Sequence, residues 1–209
     1  MTLEAVASQD LWIWHAFFGM PGSHNDINII HHLPLFNDRI NGVGPKGTFF
    51  VNEVEYKYGY YLFDGIYPEW AVFVKSFPRD GTIDPKGIKF NKVQMGARKD
   101  VERAFGVLQN RWGVLSMPCR LYEKDQIRNV MYACIILHNM ILEDEGRAVV
   151  EYYPDDPEPN NEDISNEERA LNKNLIQSRQ ISSNLRADLV EHVSTHPRFD
   201  YIDNESEDD

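Results

Sequence analysis

Two carboxylates in this chain have the surroundings that divalent-metal chemistry requires. Asp64 closes the aromatic run Tyr60-Tyr61-Leu62-Phe63 at a glycine turn, within Leu62-Phe63-Asp64-Gly65-Ile66-Tyr67-Pro68. An acid at the C-terminal end of a strand looks like this. Glu102 lies in Asp100-Val101-Glu102-Arg103-Ala104-Phe105-Gly106-Val107-Leu108-Gln109, partway round a strongly periodic helix. A strand-end Asp and a helix-borne Glu can meet at one divalent cation, and two-metal phosphoryl chemistry uses such carboxylates. Each has a plainer reading. Asp-Gly is a common turn pair, and an acid four residues after Arg98 is most often half of a surface ion pair.

The charge around these acids is uneven. The chain carries a formal net charge of −12, which argues at first against nucleic acid. From residue 146 to the end there are 16 acids and 6 Lys or Arg, a net of −10, which leaves −2 for the first 145 residues. Between Lys75 and Arg120 the balance reverses, with ten bases against four acids. Glu102 sits inside that basic segment. An acid among bases suits a metal site that handles phosphates, because the bases hold the polyanion; a solvated basic face is the competing reading.

The elements that must position the acids follow from periodicity and turn residues. Segments 3–8 and 11–18 read as two strands joined at Gln9-Asp10, the second rich in aromatics. Trp12, Trp14, Phe17 and Phe18 fit a core strand better than a base-stacking surface. Ser23, Asn25 and Asp26 are suitable caps for a helix over 27–32. His31 and His32 there would point about 100° apart, too far to chelate one ion easily, so they and His24 read as structural. Gly22-Ser23 before that helix reads as a turn rather than a phosphate site. Residues 49–55 and 59–63 look extended, and Tyr67-Pro68-Glu69-Trp70 suits a helix start with Pro at its first position.

A long helix is predicted from about Lys86 to Trp112, with an apolar stripe at Val101, Ala104, Phe105, Leu108 and Trp112. Glu102 falls on the flank of that stripe, where it would border the core. A second apolar helix is predicted over 124–142, with His138 as a satisfied core histidine. Residues 146–165 read as an acidic Pro/Asn-rich linker, 166–195 as one exposed amphipathic helix, and 196–209 as a disordered acidic tail. Cys119 and Cys134 are the only cysteines, with no CxxC spacing, so a disulfide framework or structural zinc site is not expected. No apolar run reaches the roughly 18 residues of a membrane span, and the first residues have no secretory signal pattern. The order of elements is that of an α/β domain with a mixed sheet and flanking helices.

Several uncommon strings occur together in order: Leu3-Glu4-Ala5-Val6-Ala7, Leu11-Trp12-Ile13-Trp14-His15-Ala16-Phe17-Phe18-Gly19, Pro21-Gly22-Ser23-His24-Asn25-Asp26-Ile27-Asn28, Asp64-Gly65-Ile66-Tyr67-Pro68, Glu102-Arg103-Ala104-Phe105-Gly106-Val107-Leu108 and Leu137-His138-Asn139-Met140. Over about residues 2–145 the chain resembles the PIF/Harbinger transposases and their Harbinger-derived nuclease relatives. The resemblance implies an RNase H-like DDE nuclease that cuts DNA with three carboxylates and Mg²⁺ or Mn²⁺. Asp64 then corresponds to the second acid and Glu102 to the third, both metal ligands. Lys92, Arg98, Lys99, Arg103 and Arg111 are the bases expected against DNA.

The family's first acid lies on an earlier strand, in an Ile-Asp-Gly-Thr-His-like motif that does not occur here. Asp10 and Asp26 do not match it. On this reading residues 1–145 are a partial nuclease domain lacking its first strand, and the chain is expected to be inactive as it stands. The family further implies nuclear location and a separate Myb-like protein that assists DNA binding. An alternative from another class is a domesticated transposase body serving as a nuclear protein-interaction module; a gene-model fragment that does not fold alone is a third.

Overall fold

The computed structural model of the protein describes residues 2–20, 34–42, 47–63, 67–78, 84–147 and 164–199. The helix expected over 27–32 with its caps, the paired histidines, Asp64, most of the acidic linker and all but residues 196–199 of the acidic tail lie outside these residues; in the tail, Pro197–Phe199 form a 3-10 turn where disorder was expected. The described chain is mixed α/β, with six strands in three two-stranded sheets and five α-helices. The single mixed sheet expected from the sequence is not formed among the described residues. The chain divides into two compact units, Met1–Asn25 with Arg98–Asp156, and Asp26–Ala97 with Pro157–Asp209.

In the first unit β1 (Thr2–Ala7) and β2 (Ile13–Met20) form the expected antiparallel hairpin, in a register that sets Ala5 opposite Ala16. The connection is wider than a two-residue turn. Leu11 takes a positive φ of 70°, and Asp10 accepts the Trp12 amide at 3.3 Å and the Ser8 hydroxyl. The core comprises Ile13 of the hairpin, Ala104 and Leu108 of the long helix, and Cys134 and Ile135 of helix 124–144. Phe18 is buried, as expected of the aromatic strand. Trp14 is not: it is 58% exposed, its indole N–H donating to Ser8 at 2.9 Å. Ile13 is the inward residue there.

The second unit begins its described part with α1 (Pro34–Ile40), an element the sequence reading had not assigned. Phe36 on it is packed edge-on to Tyr61, Trp70 and Phe73. The extended segment 49–55 is a hairpin of β3 (Phe49–Val51) and β4 (Val54–Tyr56). Its two turn residues, Asn52 and Glu53, both have positive φ, 49° and 68°. That is the twist a tight hairpin demands. β5 (Tyr61–Phe63) lies parallel to β6 (Phe73–Lys75), with Phe63 paired to Lys75.

The helix start expected at Tyr67–Trp70 is instead an irregular approach to β6. Ala71 through Val74 are all buried, as a parallel strand covered on both faces should be. The run Ala71-Val72-Phe73-Val74 is β-forming, and it prevails over the Pro68 helix-start signal.

α2 (Pro85–Arg111) and α3 (Lys124–Asp144) match the two predicted helices closely. Segment 166–195, read as one exposed helix, is two helices, α4 (Asn166–Ile176) and α5 (Arg179–Thr195). Each starts on a serine cap: Ser165 with Glu168 in a reciprocal capping box, and Ser178 accepting the Ile181 amide. Such serines favour a new start over continuation. Nor are these helices exposed along their length, because Ile176, Leu185, Leu189 and Val193 are buried and the last three share a cluster with Val51, Tyr56, Val74 and Phe90. Cys119 is exposed and Cys134 buried, both unpaired as thiols. No helix among the described residues is long and apolar enough to cross a membrane.

Glu53 holds a backbone conformation that costs an L-residue about 1 kcal/mol. Glu53→Gly is therefore expected to raise stability by about 0.5–1 kcal/mol in urea unfolding; a loss of stability would contradict the turn.

Candidate functional site

The strand from which Asp64 follows ends at Phe63, and side-chain amides of α2 hold that end in place. Gln94 is 3% exposed, and its Nε2 donates to the carbonyls of Phe63 at 3.1 Å and Val74 at 3.2 Å. One residue therefore grips both parallel strands where they terminate. Asn91, one turn earlier, accepts the Phe77 amide at 2.8 Å and donates to the Phe77 carbonyl at 3.2 Å. A strand pair of three residues each cannot hold itself, so these amides stand in for a neighbouring strand. Gln94 falls seven residues before Val101, on the apolar stripe; an amide at such a position is the sequence signal of a buried clamp. Asp64 itself is outside the described residues.

Glu102 lies on the C-terminal half of α2 and faces solvent. Its side chain is 58% exposed, with the Arg98 guanidinium 3.5 Å away at i−4. The expectation that it borders the core is corrected: Ala104 and Leu108 take the buried face, and Glu102 is turned from it. Asp100 is the acid on this helix that does lie inward, neutralised by Arg103. Charge counting alone had not separated it from Glu102. An exposed carboxylate with a single long ion pair is an accessible hard oxygen donor, of the kind Mg²⁺ or Mn²⁺ takes. Among the described residues no group of three or more His, Cys, Asp or Glu comes together as a metal site.

The five bases expected against DNA divide by their surroundings. Lys92 and Lys99 are exposed. Arg98 and Arg103 are paired with Glu102 and Asp100. Arg111 is turned inward, donating to the His138 carbonyl at 3.3 Å, with Glu145 at 3.8 Å. Its charge is committed to joining α2 and α3, and the sequence had not shown this.

The Leu137-His138-Asn139-Met140 string has a structural explanation. His138 is fully buried; its Nε2 is 3.0 Å from the Leu11 carbonyl, to which it donates, and its Nδ1 is 3.3 Å from Arg111 Nη1, from which it accepts. Those partners require neutral imidazole. Burial pushes its pKa down from the ordinary value, the Leu11 hydrogen bond opposes this, and Arg111 adds to it. Asn139 Oδ1 accepts the Ile13 amide at 3.0 Å, and its Nδ2 donates to the Ile13 carbonyl at 2.9 Å. His138 is thus the satisfied core histidine expected from the sequence, and Asn139 pairs with β2 as a strand would.

A model of the plant transposon protein family matches residues 1–149. The chain belongs to that family. A search of curated proteins finds similarity to "Protein ALP1-like" of Arabidopsis thaliana, 24% identical over 154 residues, covering 71% of this chain and 37% of the relative. The chain thus spans somewhat more than a third of that relative's length. No solved structure matches. The family match ends before α4 and α5, so those helices lie beyond it.

Two outcomes follow from the clamps. Asn139→Ala is expected to cost about 1–3 kcal/mol, the cost of leaving buried backbone groups unpaired, read from urea midpoints. Because the folded His138 binds its proton less readily than an unfolded histidine (about 6.5), its contribution is present above that value and is lost as pH falls below it. Stability should therefore drop from pH 7 to pH 5, and the slope should flatten in His138→Gln; an unchanged slope would contradict a neutral buried imidazole.

Proposed function

We propose that the chain is the metal-binding part of a Harbinger-type DDE nuclease with an RNase H-like body, and that Asp64 and Glu102 are two of its carboxylate ligands for Mg²⁺ or Mn²⁺. The observation that carries this is a carboxylate at Glu102 that is solvent-accessible while the other acid of its helix, Asp100, is buried against Arg103. Membership of the plant transposon protein family supports the same reading. A bound cation would activate water and stabilise the leaving oxygen of a DNA strand. The chain's own part is to present Glu102 on a helix and, through Gln94, to fix the strand end that precedes Asp64. Nuclear location, DNA as substrate and help from a Myb-like DNA-binding protein belong to this proposal.

Two carboxylates hold a hard cation loosely, with most of its waters retained, and loss of one member of a concerted site costs orders of magnitude in rate. A polypeptide of these 209 residues alone is therefore expected to show no metal-dependent nicking above background. Robust cutting that Asp64→Asn abolishes would contradict this. Binding is tested separately by replacing Mg²⁺ with Fe²⁺ and generating hydroxyl radicals with ascorbate and peroxide. The polypeptide should be cut near both residue 64 and residue 102. Asp64→Asn and Glu102→Gln should each suppress both cuts, whereas cleavage at unrelated positions would remove the metal reading.

A second reading, a protein-interaction module, is favoured by the outer face of α3, where Ile136, Leu137 and Met140 are exposed. A nuclear partner crosslinked at Ile136 or Met140, and retained in the Asp64→Asn/Glu102→Gln double variant, would support it.

A further inference from the structure

The second unit contains a small basic hollow, apart from the acids already considered, that is lined partly by residues beyond the family match. Lys75, the last residue of β6, contributes one cation, and α5 contributes Arg179 and Arg186. Ser182 and Ser183 line it with hydroxyls, and Glu69 is its one carboxylate. Three cations against one acid leave a local excess of two positive charges, in a part of the chain whose overall balance is strongly acidic. The other acids of α5 are occupied elsewhere. Asp188 accepts the Tyr56 hydroxyl at 2.6 Å, and Glu191 pairs with Lys86 at 2.5 Å.

Two of the cations are held in place. Arg186 Cζ lies over the Phe77 ring, 4.8 Å from its centroid, and Lys75 Nζ donates to the Tyr67 carbonyl at 2.7 Å. Burial lowers the pKa of Lys75; Glu69 opposes this and Arg186 adds to it, so two of the cations already repel each other. An anion would relieve that repulsion.

We infer that this hollow seats one backbone phosphate of a nucleic-acid strand. Two guanidinium groups, an ammonium and two hydroxyls offer more donors than the two oxygens of a carboxylate can use, and the planar guanidinium matches phosphate. The cavity volume is about 60 Å³. That admits a few water-sized groups, hence one oxyanion, and leaves no room for a base and sugar. The phosphate therefore arrives on a chain that runs out over the surface. Lys75 is the register partner of Phe63, after which Asp64 follows in sequence, so the hollow belongs to the strand end that the proposed nuclease would use. The inference rests on that nucleic-acid reading and supplies a contact from α5, a helix beyond the family match.

The test is fluorescence anisotropy of a labelled single-stranded oligonucleotide with the full 209-residue chain, in EDTA, over a range of salt. Arg179→Ala should reduce the slope of log K against log salt by about 0.7, the value of one single-strand phosphate contact. Ser183→Asp should weaken binding severalfold. Both residues are exposed, so neither change threatens the fold. Arg198→Ala, an exposed base outside the hollow, should leave the slope nearly unchanged. Inorganic phosphate should compete in the wild type and not in Ser183→Asp.

Equal losses for Arg179→Ala and Arg198→Ala, or no effect of Ser183→Asp, would overturn the site. Phosphate bound at Arg179 without competition by the oligonucleotide would overturn the nucleic-acid assignment. With no divalent metal present, failure here is separable from failure of the carboxylate reading, which the iron cleavage reports.

Discussion

Short strands held by helix-borne side chains are the constraint on which this structure depends. Each sheet among the described residues has two strands, and most of those strands are three residues long. Such pairs are marginal in water by themselves. Backbone groups at their ends or in the segments beside them are met by Gln94 and Asn91 in one unit and by Asn139 and His138 in the other. A side-chain amide carries a donor and an acceptor, the same pair that a strand residue presents. Asn139 uses both on Ile13, and Asn91 uses both on Phe77. Apolar packing supplies the bulk of the stabilisation, while these contacts decide where each strand begins and ends.

That distinction explains what was legible in the sequence. α2 and α3 follow from an apolar repeat sustained over many turns, and their ends came within about two residues because periodicity accumulates evidence along the chain. The first hairpin followed from aromatic alternation. β6 did not, since a buried parallel strand of three residues has no alternation and Pro68 before it resembles a helix start. The break between α4 and α5 rests on one local choice, Ser178 accepting the Ile181 amide, within a segment whose apolar pattern continues. Trp14 was read as core together with the other aromatics of its strand, but the register shifts at that point, Val6 facing His15 and Ala7 facing Ile13, and Ile13 rather than Trp14 is the inward residue.

The candidate site was legible in a different measure. Glu102 was singled out by its string and its basic setting, and its exposure distinguishes it from Asp100 two residues earlier, some 200° round the helix. Arg111 illustrates the opposite case: a base counted toward the DNA surface that is bound to His138 and Glu145. Charge runs give the sign of a segment but not which members are already paired. The basic hollow of Lys75, Arg179 and Arg186 was invisible for the same reason, because its residues come from positions about a hundred apart and two of them lie in the acidic last part of the chain.

Amide hydrogen exchange tests the clamps most directly. The amides of Ile13 and Phe77 donate to side chains, Asn139 and Asn91, rather than to a strand. If those side chains hold the sheets, both amides exchange as slowly as the helical core of their own unit. Asn139→Ala then releases Ile13, and Asn91→Ala releases Phe77, each leaving the other protected. Rapid exchange at either amide in the unaltered protein would show that the strand ends are held by something else.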